Sequence, residues 1–456
     1  MKQQKDKLIE QPRYGCALAA QQTVLAIPRA VPVIHAGPGC SAKVFGFMSY
    51  GAGFQGEGYA GGSHVTSTNM TEQDVVFGGE KKLHRDIQGA LKVLDADLYV
   101  VMSGCTADIV GDDTLSVARE FAAAGHPVVG VESAGFKGNN YFGHEQVLQA
   151  IIEQFIGDVQ PQVRKGVVNV FSVVPFQDPF WRGDLEELKR ILEAIGLTVH
   201  ILFGNGSEGV SEWRDIPNAE FNLLVSPWTG LKTVKLLQEK YGTPYLHIPI
   251  LPVGAKETSR FLRKVADFAG IPLRKVETFI AQEEKRFYDY FVSLADFISE
   301  YRGNLPTELY LIADSLYGSG VAAFLAEELG FLPQRIYLTD APPASAQQAI
   351  QTELLAKAAE FGGTVVFETD GAVIEQDIRK KVAGSKRALI VGSTWEKYLA
   401  EETSNLYLYL SLPLNETVIL RRSYLGYLGG LTLIEAVYDA LFHRRTTSYR
   451  TQLYSA

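Results

Sequence analysis

Short apolar runs alternate with stretches of helical periodicity along almost the whole chain. Parallel strands covered by helices produce this pattern, because such strands are buried on both faces and need a crossover helix between them. In the first third, Val31–His35, Asp97–Ser103 and Pro127–Glu132 predict strands, and Glu80–Leu94, Thr114–Ala124 and His144–Phe155 predict helices. Pro161-Gln162 reads as a linker. A second unit then predicts strands at Val167–Val174, Thr198–Phe203, Phe221–Ser226 and Tyr245–Ile248, with helices at Asp184–Ile195 and Gly230–Tyr241. A long polar helix, Lys275–Tyr301, precedes strands at Leu309–Ala313, Arg335–Thr339, Thr364–Glu368 and Ala388–Val391. The fold class expected is α/β, with three Rossmann-like domains whose parallel sheets are flanked by helices. Their expected boundaries are 1–160, 161–302 and 303–456, the last with a C-terminal helix, which suits 456 residues at roughly 150 per domain. No short-period repeat or low-complexity segment interrupts them.

In sheets of this kind, ligands collect beyond the carboxyl ends of the strands. His35-Ala36-Gly37-Pro38-Gly39-Cys40 follows the first strand and Gly104-Cys105-Thr106 follows the strand ending at Ser103. Gly204-Asn205-Gly206 and Gly318-Ser319-Gly320 mark further turns just past strands.

Composition narrows the function. With 46% hydrophobic and 21% charged residues, the chain has the make-up of an ordinary globular protein. Its net charge of -9, with no clustered Lys and Arg, argues against nucleic acid or an anionic membrane as the main partner. The pair Arg444-Arg445 reads as a solvated helix end. The polar start MKQQKDKLIEQPRYG has no signal-peptide core, and no run reaches the ~18 apolar residues of a membrane span, so a cytoplasmic protein is expected.

Three cysteines do not make a disulfide framework in such a chain. Cys16, Cys40 and Cys105 each follow a glycine, which lets the backbone turn tightly and brings amides close to whatever the sulfur holds. On composition alone, buried core cysteines are the commoner reading. The spacings match no zinc-finger or ferredoxin pattern. Three thiolates also leave a four-ligand cluster one donor short, so a partner chain or another donor would have to complete it.

The segment Met70-Thr71-Glu72-Gln73-Asp74-Val75-Val76-Phe77-Gly78-Gly79-Glu80-Lys81-Lys82-Leu83 closely resembles the E-x-D-x-VFGG-x-KKL stretch of the nitrogenase component 1 family. Cys16-Ala17, the turn His35-Ala36-Gly37-Pro38-Gly39-Cys40, and Gly104-Cys105 with Ile109-Val110-Gly111-Asp112-Asp113 stand around it in the family's order. Gly135-Phe136-Lys137-Gly138 with Gly143-His144 is similar to the GFxG…GH segment of α-type chains. Weaker similarity continues through Arg182-Gly183-Asp184, Lys240-Tyr241-Gly242-Thr243-Pro244 and Tyr424-Leu425-Gly426-Tyr427-Leu428-Gly429-Gly430.

The resemblance implies that Cys16, Cys40 and Cys105 hold a P-cluster-type iron–sulfur cluster (8Fe-7S, or 4Fe-4S) shared with a homologous partner chain in an αβ or α2β2 assembly. It also implies electrons delivered by a separate ATP-hydrolysing iron–sulfur reductase. This chain departs from α-type catalytic chains where they bind the active-site cofactor. The corresponding regions read Leu224-Val225-Ser226-Pro227-Trp228 and Ser423-Tyr424-Leu425-Gly426, and no cysteine follows Cys105. Pro and Leu cannot stand in for a thiolate or an imidazole. The serine that some β-type chains add to the cluster is not matched in register; Ser133 is offset. The expected role is therefore an oxidoreductase subunit of β type, relaying electrons to a cofactor on its partner. The substrate stays open between dinitrogen, a methylthio-alkane and another small molecule.

A cofactor-assembly scaffold and a cluster-free binding module are the alternatives. Smaller signals have plainer readings. His35 and His64 are structural more often than chemical. Asp112-Asp113 suits a helix cap at Thr114. Gly318-Ser319-Gly320 lacks the P-loop lysine and suits a close-packing turn. Arg421-Arg422 suits a surface ion pair, and Gly51–Gly62 suits a flexible loop.

Overall fold

The computed structural model describes residues 13–46, 52–54, 65–360, 363–383 and 387–454. His64 and most of the glycine-rich stretch Gly51–Gly62 lie outside them. The expected parallel α/β architecture is present as three parallel sheets flanked by helices. By compactness the chain divides into two units, one of Gly15–Ile248 with Asn415–Arg421, the other of Met1–Tyr14, Pro249–Leu414 and Arg422–Ala456.

The first unit holds two sheets. In one, β1 (Ala30–His35) lies between β3 (Thr66–Ser67) and β4 (Leu98–Ser103), and β5 (Val128–Glu132) pairs with β4. The short strand β2 (Ala52–Phe54) pairs with β15 (Leu414–Val418) on the returning segment. The strands form because their apolar runs can be buried on both faces: all of β1 and β4 is buried. Val31, Val33, Tyr99 and Val101 pack on Leu83, Ile87 and Ala90 of the Glu80–Val93 helix and on Val117 and Phe121 of the Thr114–Ala123 helix. The i, i+4, i+7 spacing of Leu83, Ile87 and Ala90 is the helical stripe that periodicity predicts.

The second sheet runs β7 (Thr198–His200), β6 (Arg164–Phe171), β8 (Ala219–Val225), β9 (Tyr245–Ile248). A buried carboxylate ties it to the first. Glu145, on the Asn140–Ala150 helix, accepts the Gly230 amide at 2.5 Å and the Thr233 hydroxyl at 2.6 Å, so it caps the Leu231–Tyr241 helix from outside. The helix expected at His144–Phe155 begins earlier, at Asn140, because the Asn139 side chain accepts the Phe142 amide at 3.0 Å. It gives way to a π-turn over Ile151–Ile156.

The second unit holds one sheet, ordered β12 (Thr364–Phe367), β11 (Leu332–Leu338), β10 (Glu308–Ala313), β13 (Ala388–Gly392), β14 (Leu406–Tyr409). The edge strand β14 and the Gly254–Phe268 helix were not anticipated. The single helix expected at Lys275–Tyr301 is two, Leu273–Ser293 and Ala295–Tyr301. Just before the break the Ser293 hydroxyl bonds back to the Asp289 carbonyl at 2.9 Å, a local bond that competes with helical geometry. Gly318-Ser319-Gly320 is not a turn before a helix; it lies inside the Ser315–Glu327 helix, whose cap is Asp314. Gly320 does serve close packing, since a Cβ there would fall 2.4 Å from the Leu251 carbonyl oxygen.

Arg13 belongs to this unit and is buried against Glu396 and Ser393. Its guanidinium donates to Ser393 Oγ at 3.0 Å and to both Glu396 oxygens, one at 2.9 Å, and stacks over Trp395. Burial alone pushes the Glu396 carboxyl up, but the charge and donors of Arg13, with those of Ser393, outweigh it and hold the group below its ordinary value of 4.5. The stability this pair supplies is present above 4.5 and is lost as the pH falls through the lower folded-state value. Arg13→Ala leaves a buried carboxylate uncompensated and should cost about 3–5 kcal/mol. Urea denaturation at neutral pH measures that loss, and the gap from the parent should narrow in acid.

Candidate functional site

Register puts the candidate loops at one edge. His35 pairs with Ser103, and Ser103 with Glu132, so β1, β4 and β5 end level with one another. The loops that leave these ends carry Cys40, Cys105 and Gly135.

Cys16 is brought to the same edge by a separate clamp. It forms an antiparallel bridge with Asn139, the Ala17 amide donates to the Gly138 carbonyl at 3.0 Å, and the Asn140 amide donates to the Gly15 carbonyl at 2.9 Å. The Gly15 amide donates in turn to Asn140 Oδ1 at 3.0 Å. Gly143 lets its helix ride directly on this segment, as a Cβ there would lie 2.0 Å from the Ala17 carbonyl oxygen. Beside it, His144 shares a 2.8 Å hydrogen bond with Thr23. Complete burial pushes its pKa down to about 3, so the ring is neutral and structural.

Cys105 opens the Cys105–Val110 helix. The Gly104 amide before it donates to the His35 carbonyl at 2.9 Å, and a Cβ on Gly104 would meet Ala36 Cβ at 2.5 Å. Cys40 lies in the Pro38–Gly46 helix, and its carbonyl accepts from the Gln21 amide nitrogen at 3.4 Å.

Gly135 is the meeting point of two sulfurs. Its amide donates to Cys105 Sγ at 3.1 Å. The place a Cβ would occupy is 3.2 Å from Cys105 Sγ and 3.1 Å from Cys16 Cβ, with Cys16 Sγ at 3.6 Å, so any larger residue would press on both cysteines. All three cysteines are free thiols; Cys16 and Cys105 are exposed and Cys40 is half-buried. The buried-core reading of these residues therefore fails. The Cys40 thiol is pushed above its ordinary value of 9.0, by burial first and then by the negative charge of Cys16 and Cys105, so the three sulfurs feel one another. The exposed thiols of Cys16 and Cys105, convergent beside a backbone donor and a glycine that leaves the space clear, fit an iron–sulfur cluster, with Cys40 as a half-buried third donor. Among the described residues, no three His, Cys, Asp or Glu side chains gather as a site for one metal ion.

The surrounding residues brace these loops. Lys137 pairs with Asp108 at 2.7 Å, one turn beyond Cys105, and with Glu132 at 2.8 Å at the end of β5. Asp113 caps the next helix by accepting the Ser116 amide at 2.8 Å, as expected, but Asp112 does not. Asp112 instead accepts from His35 Nε2 at 2.9 Å and from the Gly79 amide at 2.9 and 3.0 Å. A carboxylate only accepts, so Nε2 carries the proton and Thr68 donates to Nδ1 at 3.1 Å. Burial chiefly, opposed by Asp112, holds the His35 pKa down. Ser133 is fully buried and spends its hydroxyl on the Ser103 carbonyl at 3.0 Å. Ile109 (74% exposed) and Phe136 (61%) form an apolar rim next to Cys105 and Gly135. Sequence reasoning quoted the segments carrying Gly135, Lys137 and Asp112 without seeing these roles; glycine beside a thiolate loop was the only usable signal for Gly135.

Of the other candidates, Arg421 makes the expected surface ion pair, with Glu186 at 2.6 Å, while Arg422 lies over the Tyr409 ring. No helix among the described residues is long and apolar enough to cross a membrane.

The profile of the nitrogenase component 1 type oxidoreductases matches residues 15–442. The chain is 31% identical over 324 residues to the nitrogenase molybdenum-iron protein alpha chain of Methanosarcina barkeri, covering 69% of this chain and 58% of that one. It is 29% identical over 301 residues to the nitrogenase iron-molybdenum cofactor biosynthesis protein NifE of Methanococcus maripaludis, covering 64% and 57%. The match therefore spans less than two thirds of the length of either relative. Similarity to the nitrogenase molybdenum-iron protein beta chain of Sinorhizobium fredii is lower, 25% over 464 residues, but covers 96% of this chain and 85% of that one. A solved structure of nitrogenase Cp1 at pH 6.5 superposes with a TM-score of 0.78 over 97% of this chain and 95% of that one, at 19% identity, which speaks to the fold.

Because burial and two neighbouring thiols raise the Cys40 pKa, its reactivity should keep climbing at alkaline pH. In the metal-free protein, the rate of iodoacetamide labelling at Cys40, followed by mass spectrometry, should still be rising above pH 9. A plateau at or below that pH would contradict the packing described for this thiol.

Proposed function

The chain belongs to the nitrogenase component 1 type oxidoreductase family, and on that footing we propose that it is a cytoplasmic electron-relay subunit of a nitrogenase-like reductase. In this reading Cys16, Cys40 and Cys105 supply this chain's ligands to an inter-subunit iron–sulfur cluster of P-cluster type. A homologous chain completes the cluster, and a separate ATP-hydrolysing iron–sulfur protein supplies electrons. The cluster, when bound, takes up and releases single electrons. The observation that carries the reading is the convergence of Cys16 and Cys105 on Gly135, whose amide already donates to one sulfur. Such a donor stabilises negative charge on a thiolate and so favours the reduced, more negative state of whatever the sulfur binds.

Two further features support a shared site. Cys16 and Cys105 are exposed, and an apolar rim of Ile109 and Phe136 adjoins them. A second chain seated on that rim would exclude water from the sulfurs and add the missing donors. The β-type role rests on the two stretches that replace an α-type chain's cofactor ligands. Ser226 is buried and its carbonyl accepts from His247 Nε2 at 2.7 Å; in the other unit, Tyr424 and Leu425 are fully buried. Each stretch is spent on packing and offers no thiolate.

The likeness to NifE favours a second reading, an assembly scaffold on which a cofactor is built. Both readings need the cluster, but only the first needs turnover. Iron and sulfide analysis with EPR of the anaerobically purified protein should show cluster-bound iron. Single Cys16→Ala, Cys40→Ala and Cys105→Ala variants should each lose most of it. Trace iron in the parent, with its partner chain present, would defeat both readings. Substrate reduction by the complex, given its reductase and ATP, selects the relay; a loaded complex that never turns over selects the scaffold.

A further inference from the structure

We propose that Asp112 is the positioning residue of this site, setting the Cys40 and Cys105 loops as a pair while leaving Cys16 outside its control. The case rests on who holds whom. His35 ends β1, and the turn it begins leads to Cys40. Its carbonyl accepts the Gly104 amide at 2.9 Å, which fixes the start of the Cys105 segment. The end of that segment is fixed by the same residue, because His35 Nε2 donates to Asp112 at 2.9 Å. Asp112 in turn follows Gly111, which has a left-handed backbone (φ +84°), and its amide closes back on the Ala107 carbonyl at 3.1 Å. One histidine therefore grips both ends of the Cys105 helix, and one carboxylate completes the second grip.

The carboxylate is itself pinned. Gly79 donates its amide to both oxygens, and a Cβ on Gly79 would fall 2.7 Å from Asp112 Oδ2 and 2.8 Å from His35 Cε1. The pair is buried, with side-chain exposures of 0% for His35 and 4% for Asp112. Buried, charge-assisted bonds of this kind are the ones whose loss is felt. The Cys16 segment is held by the separate bonds to Gly138 and Asn140 and shares none with Asp112. The arrangement explains why glycine is required at position 79: it lets the end of the Glu72–Phe77 helix close on a carboxylate that belongs to the cysteine loops.

The inference rests on the proposed function only in calling the three cysteines ligands, and it is tested without a cluster. The full-length chain, stripped of iron by chelation under anaerobic conditions, is alkylated with iodoacetamide and the rate at each cysteine is read by mass spectrometry. Asp112→Ala should speed labelling at Cys40 and Cys105 together by about tenfold, the effect of losing one buried charged hydrogen bond, with Cys16 unchanged. Asp112→Asn should restore both rates. Its amide oxygen still accepts from Gly79, and its NH2 donates to the opposite His35 tautomer, which then donates from Nδ1 to Thr68. Equal acceleration at all three cysteines, or none, overturns the proposal, as does failure of the asparagine to restore. Should Asp112→Ala not fold, Gly79→Ala wedges the same contact apart with the carboxylate kept and must give the same paired response. Iron analysis of the parent is a separate measurement, so a chain that binds no cluster but shows the paired response sinks the relay and spares this inference.

Discussion

The site depends on strands that stop at the same level. Parallel strands in register deliver their carboxyl ends to one edge, and the pairing of His35 with Ser103 and of Ser103 with Glu132 makes that edge flush. Three loops then begin side by side, although their cysteines and glycine are far apart in sequence. A slip of one residue in β4 would shift its carboxyl end along the sheet and move Cys105 off the edge. β1 and β4 are buried along their whole length, so the hydrophobic core and the cysteine edge rest on the same strands.

What the strands bring near, glycines bring into contact. Gly104 against Ala36, Gly143 against the Ala17 carbonyl, and Gly135 between two sulfurs are approaches that a methyl group would block. Each trades backbone entropy for a closeness that no other residue permits. Three carboxylates drawn inside by this close packing have partners. Asp112 has His35 and Gly79, and Glu145 has Gly230 and Thr233. In the other unit Glu396 has Arg13 and Ser393. Matching of this kind adds little net stability compared with apolar packing, but breaking it is costly, so it fixes one arrangement against its neighbours.

Most strands were legible in the sequence, because a strand buried on both faces is written as a continuous apolar run. What stayed hidden has physical causes. β14 is only four residues long and lies at a sheet edge with every second residue buried, so its run Leu406-Tyr407-Leu408-Tyr409 is too short to stand out from the loop around it. The break at Leu294 lies beside a hydroxyl that bonds to its own helix, and no glycine or proline marks it in the sequence. Cysteines beside glycines singled out residues carried to the strand edge, and the ordered motifs named the family. Asp112 was misread because a carboxylate before a helix has a local use as a cap. Only the three-dimensional pairing with His35 shows that its neighbour Asp113 takes that use alone.

The same geometry explains why the likeness runs to an alpha chain, a beta chain and an assembly protein at once. The cysteine edge is built from β1, β4 and β5 of the first sheet and from the 138–144 clamp, all within one unit. Nothing in its construction refers to Ser226 or to Leu425, which pack into other parts of the fold. On the proposed reading, such an edge can be kept while the Ser226 and Leu425 stretches vary independently of it. Division of labour between two related chains follows naturally from such a fold. On the proposed reading, electron relay would need only the flush strand ends and their sulfurs, whereas the stretches at Ser226 and Leu425 serve packing.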